Sequence, residues 1–179
     1  MNADNVLEFW FNETKPKQRF QKDTDFDQLV KIRFLALHNQ ARECELSSWR
    51  RCALGALAEI IVLDQFSRNI FRDLPGAFAC DPLALGLAQE AVQRKYDLEL
   101  EIKQRTFLYL PFMHSESRLI HQRAVELFSH PGMEENLRFE LRHKEIIDRF
   151  GRYPHRNNIL GRESTPEELE FLKGAGSSF

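Results

Sequence analysis

Apolar residues recur at spacings of three and four through most of the chain, and the polar stretches between these runs carry caps, prolines and glycines. The pattern predicts a short helix over residues 4–11, with Asp4 as its cap and Val6, Phe9 and Trp10 on one face. After a polar loop containing Pro16, a long helix is predicted over about 26–43, capped by Asp25 with Gln28 three residues on. Its stripe is Phe26, Val30, Phe34, Leu37 and Ala41. The next helix is predicted over about 49–66. Its segment from Ala53 to Phe66 is apolar nearly all round, which marks it as the central buried helix, and Gly55 and Ala56 would let another helix approach closely.

Asp81-Pro82 opens a helix to about Tyr96 with Ala84, Leu87, Ala88 and Ala91 inward. A helix over about 100–110 is expected to stop before Pro111, since a residue preceding proline disfavours helical backbone. Helices over about 117–129 and 134–150 follow, with the turn Pro131-Gly132 between them. Thr165-Pro-Glu-Glu168 is a capping box that starts a last helix to about Lys173, and Gly174 to Phe179 reads as a mobile tail. There is no Asn-Gly or Asp-Gly hairpin signal and no sustained alternation of period two. The predicted class is all-α, seven or eight helices in one domain over residues 1–179.

Composition narrows this picture. A chain of 179 residues buries roughly 70% of its unfolded surface as one domain. With 42% hydrophobic and 29% charged residues it is an ordinary globular chain, and its 15 Phe against 3 Tyr point to a core of packed aromatic rings. The net charge of -2 argues against a nucleic-acid partner. The three cysteines, Cys44, Cys52 and Cys80, have no metal-ligand spacing and read as free thiols of a reducing compartment. No signal peptide and no membrane span is visible, so the expected location is the cytoplasm.

One stretch departs from amphipathic helix. From His143 to Arg162, two His and four Arg gather around Gly151, Pro154 and the pair Asn157-Asn158. Gly151 and Pro154 break the helix, so the polar groups fall on a turn between two helices, where binding groups often sit. Arg149, Arg152, Arg156 and Asn157 are candidate ligand-binding residues there, because guanidinium forks fit carboxylate or phosphate. His155 is the adjacent acid/base candidate. The competing reading is a structural turn in which Arg152 pairs with Asp148 and Asn157 caps a short helix.

A second cluster, Asp64, Gln65, Arg68, Asn69 and Arg72, ends the central helix. Arg68, Asn69 and Arg72 are candidate ligand-binding residues if this face converges with the turn at 149–157 on one anion. Otherwise they tie the central helix to its neighbours through carboxylates. Either way, so many close arginines need carboxylates or a bound anion to offset them. His114 and Glu116 flank Ser115 at a helix start; they are either a capping arrangement or a carboxylate activating His114 as general base. Glu140-Leu-Arg-His143 is a Glu-x-x-His, but helical di-iron sites need two such motifs and two further Glu. No metal or cofactor is expected, and no phosphate loop, nucleophile elbow or dinucleotide fingerprint is present.

Five stretches together resemble a known family. They are Val6 to Phe11, Leu63-Asp-Gln-Phe-Ser-Arg-Asn-Ile-Phe-Arg72, Tyr109-Leu-Pro-Phe-Met-His-Ser-Glu116, Arg149-Phe-Gly-Arg-Tyr-Pro-His-Arg-Asn157 and Ile159-Leu-Gly-Arg-Glu-Ser-Thr-Pro-Glu-Glu168. They are similar to the bacterial family of domain of unknown function 924, in order and over nearly the whole chain. The resemblance implies a right-handed α-α superhelix of the tetratricopeptide-like type and no established activity. The chain shows no 34-residue repeat, so such a superhelix would be built of degenerate helix pairs. The family motif usually has Pro where this chain has Ser67, which implies a small backbone change. Three functions follow as expectations. The first is a scaffold binding an anionic small molecule or peptide carboxylate through the Arg/His clusters. The second is a hydrolase- or lyase-like enzyme using His155 or His114. The third is an adaptor whose Arg clusters are purely structural.

Overall fold

The computed structural model describes residues 1–177. Its α-helices are α1 (Ala3–Glu8), α2 (Thr24–Arg42), α3 (Ala53–Ile61), α4 (Ser67–Ile70), α5 (Asp81–Gln93), α6 (Ile102–Met113), α7 (Arg118–Phe128), α8 (Glu134–Phe150) and α9 (Pro166–Leu172). A π turn over Val62–Phe66 joins α3 to α4 without a break, so the described residues form eight continuous helices and no strand. Among them no helix is long and apolar enough to cross a membrane. The helices gather into two compact units. The first holds Met1–Arg72 and Gly76–Pro111, and the second holds Asp73–Pro75 and the chain from Phe112 onward.

The core of the first unit is aromatic, as the phenylalanine count requires. The predicted stripe of α2 is buried throughout. Phe34 lies with its ring centre 4.5 Å from Phe66 and 4.7 Å from Phe9, and Trp10 meets Phe66 edge-on at 5.6 Å. Such pairs contribute roughly 0.5–1.5 kcal/mol each beyond the area they bury. The α3 segment is buried almost entirely, and Gly55 explains one contact. A Cβ at Gly55 would sit 2.0 Å from the Trp49 carbonyl oxygen, within the 3-10 turn Ser47–Arg51. The close approach at Gly55 is therefore made by backbone of that adjoining turn and not by the packed helix expected there. Gly55→Ala is expected to force the turn away and cost at least about 1–3 kcal/mol in chemical denaturation. A neutral Ala variant would contradict this packing.

Several boundaries differ from expectation. Asn2, not Asp4, caps α1, in a reciprocal box with Asn5. Asp23, not Asp25, caps α2, accepting from the Asp25 and Phe26 amides. The helix expected to stop before Pro111 runs through it to Met113. Pro111 falls in the last turn, so the one intrahelical bond that its missing amide forfeits lies at the end of the helix. At Ser67 the backbone is helical, with φ -55°, a value that proline shares. The Ser67 hydroxyl instead donates to the Leu63 carbonyl at 2.5 Å. In the second unit, α8 has the predicted limits. Gly151 ends it at φ +71°, a conformation that glycine adopts without strain. The expected tail divides: the Ser177 hydroxyl donates to the Leu172 carbonyl at 3.1 Å, while Ser178 and Phe179 lie outside the described residues.

Candidate functional site

The first unit matches Arg68 and Arg72 with carboxylates. Arg68 grips Asp81 through both terminal nitrogens, at 2.9 and 3.1 Å, and also donates to the Asp64 carbonyl at 2.8 Å. Arg72 holds Asp27 bidentately, and Asn69 donates to the same carboxylate at 2.8 Å. These charge-assisted bonds tie α4 to α2 and to the start of α5. Arg68, Asn69 and Arg72 are thus joined through carboxylates of their own unit. Close by, His38 is wholly buried with Nε2 2.7 Å from the Ser67 oxygen. Ser67 spends its hydrogen on Leu63, so His38 carries its proton on Nε2, and burial lowers its pKa to about 4. Burial also pushes the Cys80 thiol up, which leaves a poor nucleophile.

The second unit organises the unusual stretch around Tyr153. Because Gly151 turns the chain out of α8, Arg152 is no longer on the helix face of Asp148. Asp148 pairs with Lys144 instead. Arg152 meets Glu168 through two nitrogens at 2.6 and 2.8 Å and the Glu163 carbonyl at 2.9 Å. Arg152 holds the Glu168 carboxyl down to about 2, helped by the Thr165 amide of the capping box. Arg149 forms an exposed pair with Glu167, worth little at such a site. Asn157 is buried; rather than starting a helix it closes the 3-10 turn Pro154–Arg156, donates to Ser164 and accepts from Arg162, both at 3.0 Å.

Arg162 and Glu116 are the centre of this arrangement. Arg162 donates to both Glu116 oxygens at 2.6 and 2.9 Å and to the Tyr153 carbonyl at 3.2 Å. Glu116 also accepts the Tyr153 amide at 2.8 Å. Burial works against the Glu116 carboxylate, but Arg162 and the Tyr153 amide outweigh it and hold its pKa below the ordinary value. The Tyr153 side chain is buried among His121, His143, His155 and Arg156, whose guanidinium centre lies 4.6 Å from the ring centre. His143 donates from Nδ1 to the Phe139 carbonyl, and burial lowers its pKa to about 3; it is a core histidine. Glu140 turns to His121, with Nδ1 to Oε1 at 2.7 Å and both side chains fully buried. Among the described residues no group of three or more His, Cys, Asp or Glu is arranged to hold a metal ion.

On the outer side of this network lies an open groove of about 630 Å³. Pro154, His155, Asn158, Arg162, Glu163, Ser164, Leu169 and Leu172 line it. Of the residues singled out in the sequence, His155 reaches the groove. Glu116, Asn157 and Arg152 stand behind it, holding Arg162, Ser164 and the Glu163 backbone. His121, Tyr153, Arg162 and Ser164 were not singled out. One signal existed for His121: it falls on the apolar stripe of α7 with Ala124 and Phe128, as Glu140 does on the stripe of α8 with Ile147.

The family model described as bacterial protein of unknown function, DUF924, matches residues 6–176. The chain belongs to this family. A solved structure of a protein of unknown function from Agrobacterium tumefaciens has the same fold, with 41% identity over 96% of this chain and 97% of that one and a TM-score of 0.91. No functionally curated protein matches. In this DUF924 chain the stretches that carried the resemblance hold the polar networks described above. Residues 63–72 carry Arg68 and Arg72, 109–116 carry Glu116, 149–157 carry Tyr153 and His155, and 159–168 carry Arg162 and Ser164.

Proposed function

We propose that this protein is a binding module and that the groove beside Tyr153 takes an anionic small molecule or the carboxylate end of a peptide, with an apolar portion against Leu169 and Leu172. The observation that carries the reading is the meeting of His155 and Arg162 in one groove of about 630 Å³, within the usual size range of small-molecule sites. Arg162 is held before any ligand arrives. Asn157, Glu116 and Tyr153 engage four of its five N–H groups, which leaves one to donate outward. The Ser164 hydroxyl accepts from Asn157 and keeps its own hydrogen to donate. Donors fixed in this way lose little entropy on binding. The position of His155 in the same groove supports a second reading, a hydrolase- or lyase-like enzyme with His155 as acid/base. Turnover lost in His155→Gln with binding retained would select it.

The test is thermal stabilisation by hexanoate, hexyl phosphate, hexanol and a short peptide with free or amidated C-terminus. A ligand at about 100 times its dissociation constant adds about 2.7 kcal/mol, which raises the melting point by about 5–11 °C at this size. The acids are expected to stabilise the wild type and to lose the effect in Leu172→Glu, which places a like charge in the groove. Equal shifts by hexanol and hexanoate, or undiminished shifts in Leu172→Glu, would overturn the proposal.

A further inference from the structure

The buried pair His121–Glu140 and the groove are joined by hydrogen bonds at the two ends of Tyr153, its hydroxyl and its backbone. His121 Nε2 lies 2.8 Å from the Ser115 carbonyl and 3.2 Å from the Tyr153 hydroxyl. That hydroxyl donates to the Met113 carbonyl at 2.5 Å. The Tyr153 backbone then holds Glu116 by its N–H and Arg162 by its carbonyl. Arg162 lines the groove. Every link lies in the second unit.

We infer that the groove is proton-linked: the proton shared by His121 and Glu140 sets the position of Arg162 through Tyr153, and so regulates the ligand site proposed above. The mechanism follows from counting hydrogens. The contact to the Ser115 carbonyl requires a hydrogen on Nε2, because two oxygen or nitrogen acceptors do not attract each other. The short contact between Nδ1 and Glu140 Oε1 then holds one further proton. With that proton present, all contacts of His121 are satisfied. Its loss leaves a carboxylate facing an imidazole with a single hydrogen. That hydrogen moves to Nδ1 to meet Glu140, and Nε2 becomes an acceptor. The Ser115 carbonyl loses its donor. The Tyr153 hydroxyl, between Met113 and His121, turns its hydrogen from the Met113 carbonyl to Nε2. The Tyr153 side chain shifts with it, and its backbone carries the shift to Glu116 and Arg162.

Two features make the pair a sensitive point. Glu140 Oε2 is buried and meets no hydrogen-bond donor, so an added negative charge has nothing to stabilise it. The ionisable groups around the pair come from every neighbouring segment of the unit. They are His143 and Lys144 on α8, His114 and Glu116 before α7, and Tyr153, His155 and Arg156 from the turn. Burial pushes the Glu140 carboxyl up, opposed by His121.

The test rests on the proposed groove only in its second arm. First, the guanidinium carbon of Arg162 is followed by NMR across a pH titration of wild type, Glu140→Gln and Tyr153→Phe. Glu140→Gln keeps shape and offers an amide N–H to Nδ1 with no carboxyl proton to lose; Tyr153→Phe removes only the transmitting hydroxyl. The wild type is expected to show a step that both variants lack. No step in the wild type, or the same step in Tyr153→Phe, overturns the inference. Second, hexanoate affinity is expected to change several-fold across that step in wild type and to stay level in Glu140→Gln; equal profiles overturn the inference. If hexanoate fails to bind at any pH, the groove reading falls, and the Arg162 signal still decides the coupling.

Discussion

Replacing Glu140 by Ala is expected to destabilise the protein by about 3–5 kcal/mol, the usual cost of stranding one member of a buried ion-paired couple. At this size the melting point would fall by about 6–20 °C. His121 would be left in the interior with Nδ1 unmatched and a cavity beside it. Glu140→Gln preserves the hydrogen bond and is expected to cost less than half as much. Denaturation of the two variants side by side checks this. An Ala variant as stable as the Gln variant would mean that the pair contributes shape and no polar matching.

The second large effect is acid lability. His38 and His143 have their pKa values lowered by burial to about 4 and about 3. A histidine of depressed pKa is neutral in the fold and charged in the unfolded chain below about pH 6.5. Its contribution is therefore complete above that pH and is lost as pH falls toward the folded value. Each group costs up to about 1.4 kcal/mol per pH unit in that window, so the two together approach about 2.8. Glu116 and Glu168, with lowered pKa values, add further loss below the ordinary carboxylate range. Glu140 has the opposite sign, since its raised pKa favours the fold at lower pH. Urea midpoints between about pH 7.5 and about pH 4 are expected to fall steeply, and His38→Gln with His143→Gln to flatten the fall. A stability that is level from pH 7 to pH 5 would contradict the burial of both rings.

The helices were legible where two independent signals agreed. α8 has its predicted ends because Pro131-Gly132 precedes it and Gly151, a left-handed cap, follows it. Caps were less legible where acidic and amide residues crowd together. Asn2 competes with Asp4, and Asp23 with Asp25, and only the fold decides which side chain reaches the free amides. Pro111 misled because its bias is local, while the buried Phe107, Leu108, Tyr109, Leu110, Phe112 and Met113 reward one more turn of helix.

The site was legible as a place and less so as a set of residues. The helix break at Gly151 and Pro154 identified the turn that bears His155. The partners of its arginines were not readable, because Glu168 and Glu116 are distant in sequence from Arg152 and Arg162. Spacing arguments suggested Asp148 for Arg152, which would require a helix that Gly151 has already ended. The pair His121–Glu140 spans two helices; Glu140 drew notice only as part of a Glu-x-x-His motif, and His121 was visible only as a polar residue on an apolar stripe. Tyr153 drew no notice, since a single tyrosine in a turn gives no sign that its ring and backbone organise everything near it.

The proposed binding of a carboxylate with an apolar tail in the groove beside Tyr153 is tested most directly by amide-resolved NMR during titration with hexanoate, with hexanol as the uncharged control. Saturable shifts centred on His155, Asn158, Ser164 and Leu172 are expected, larger for the acid than for the alcohol. Shifts centred instead on Arg68 and Arg72 of the first unit, or no saturable shifts at all, would contradict it.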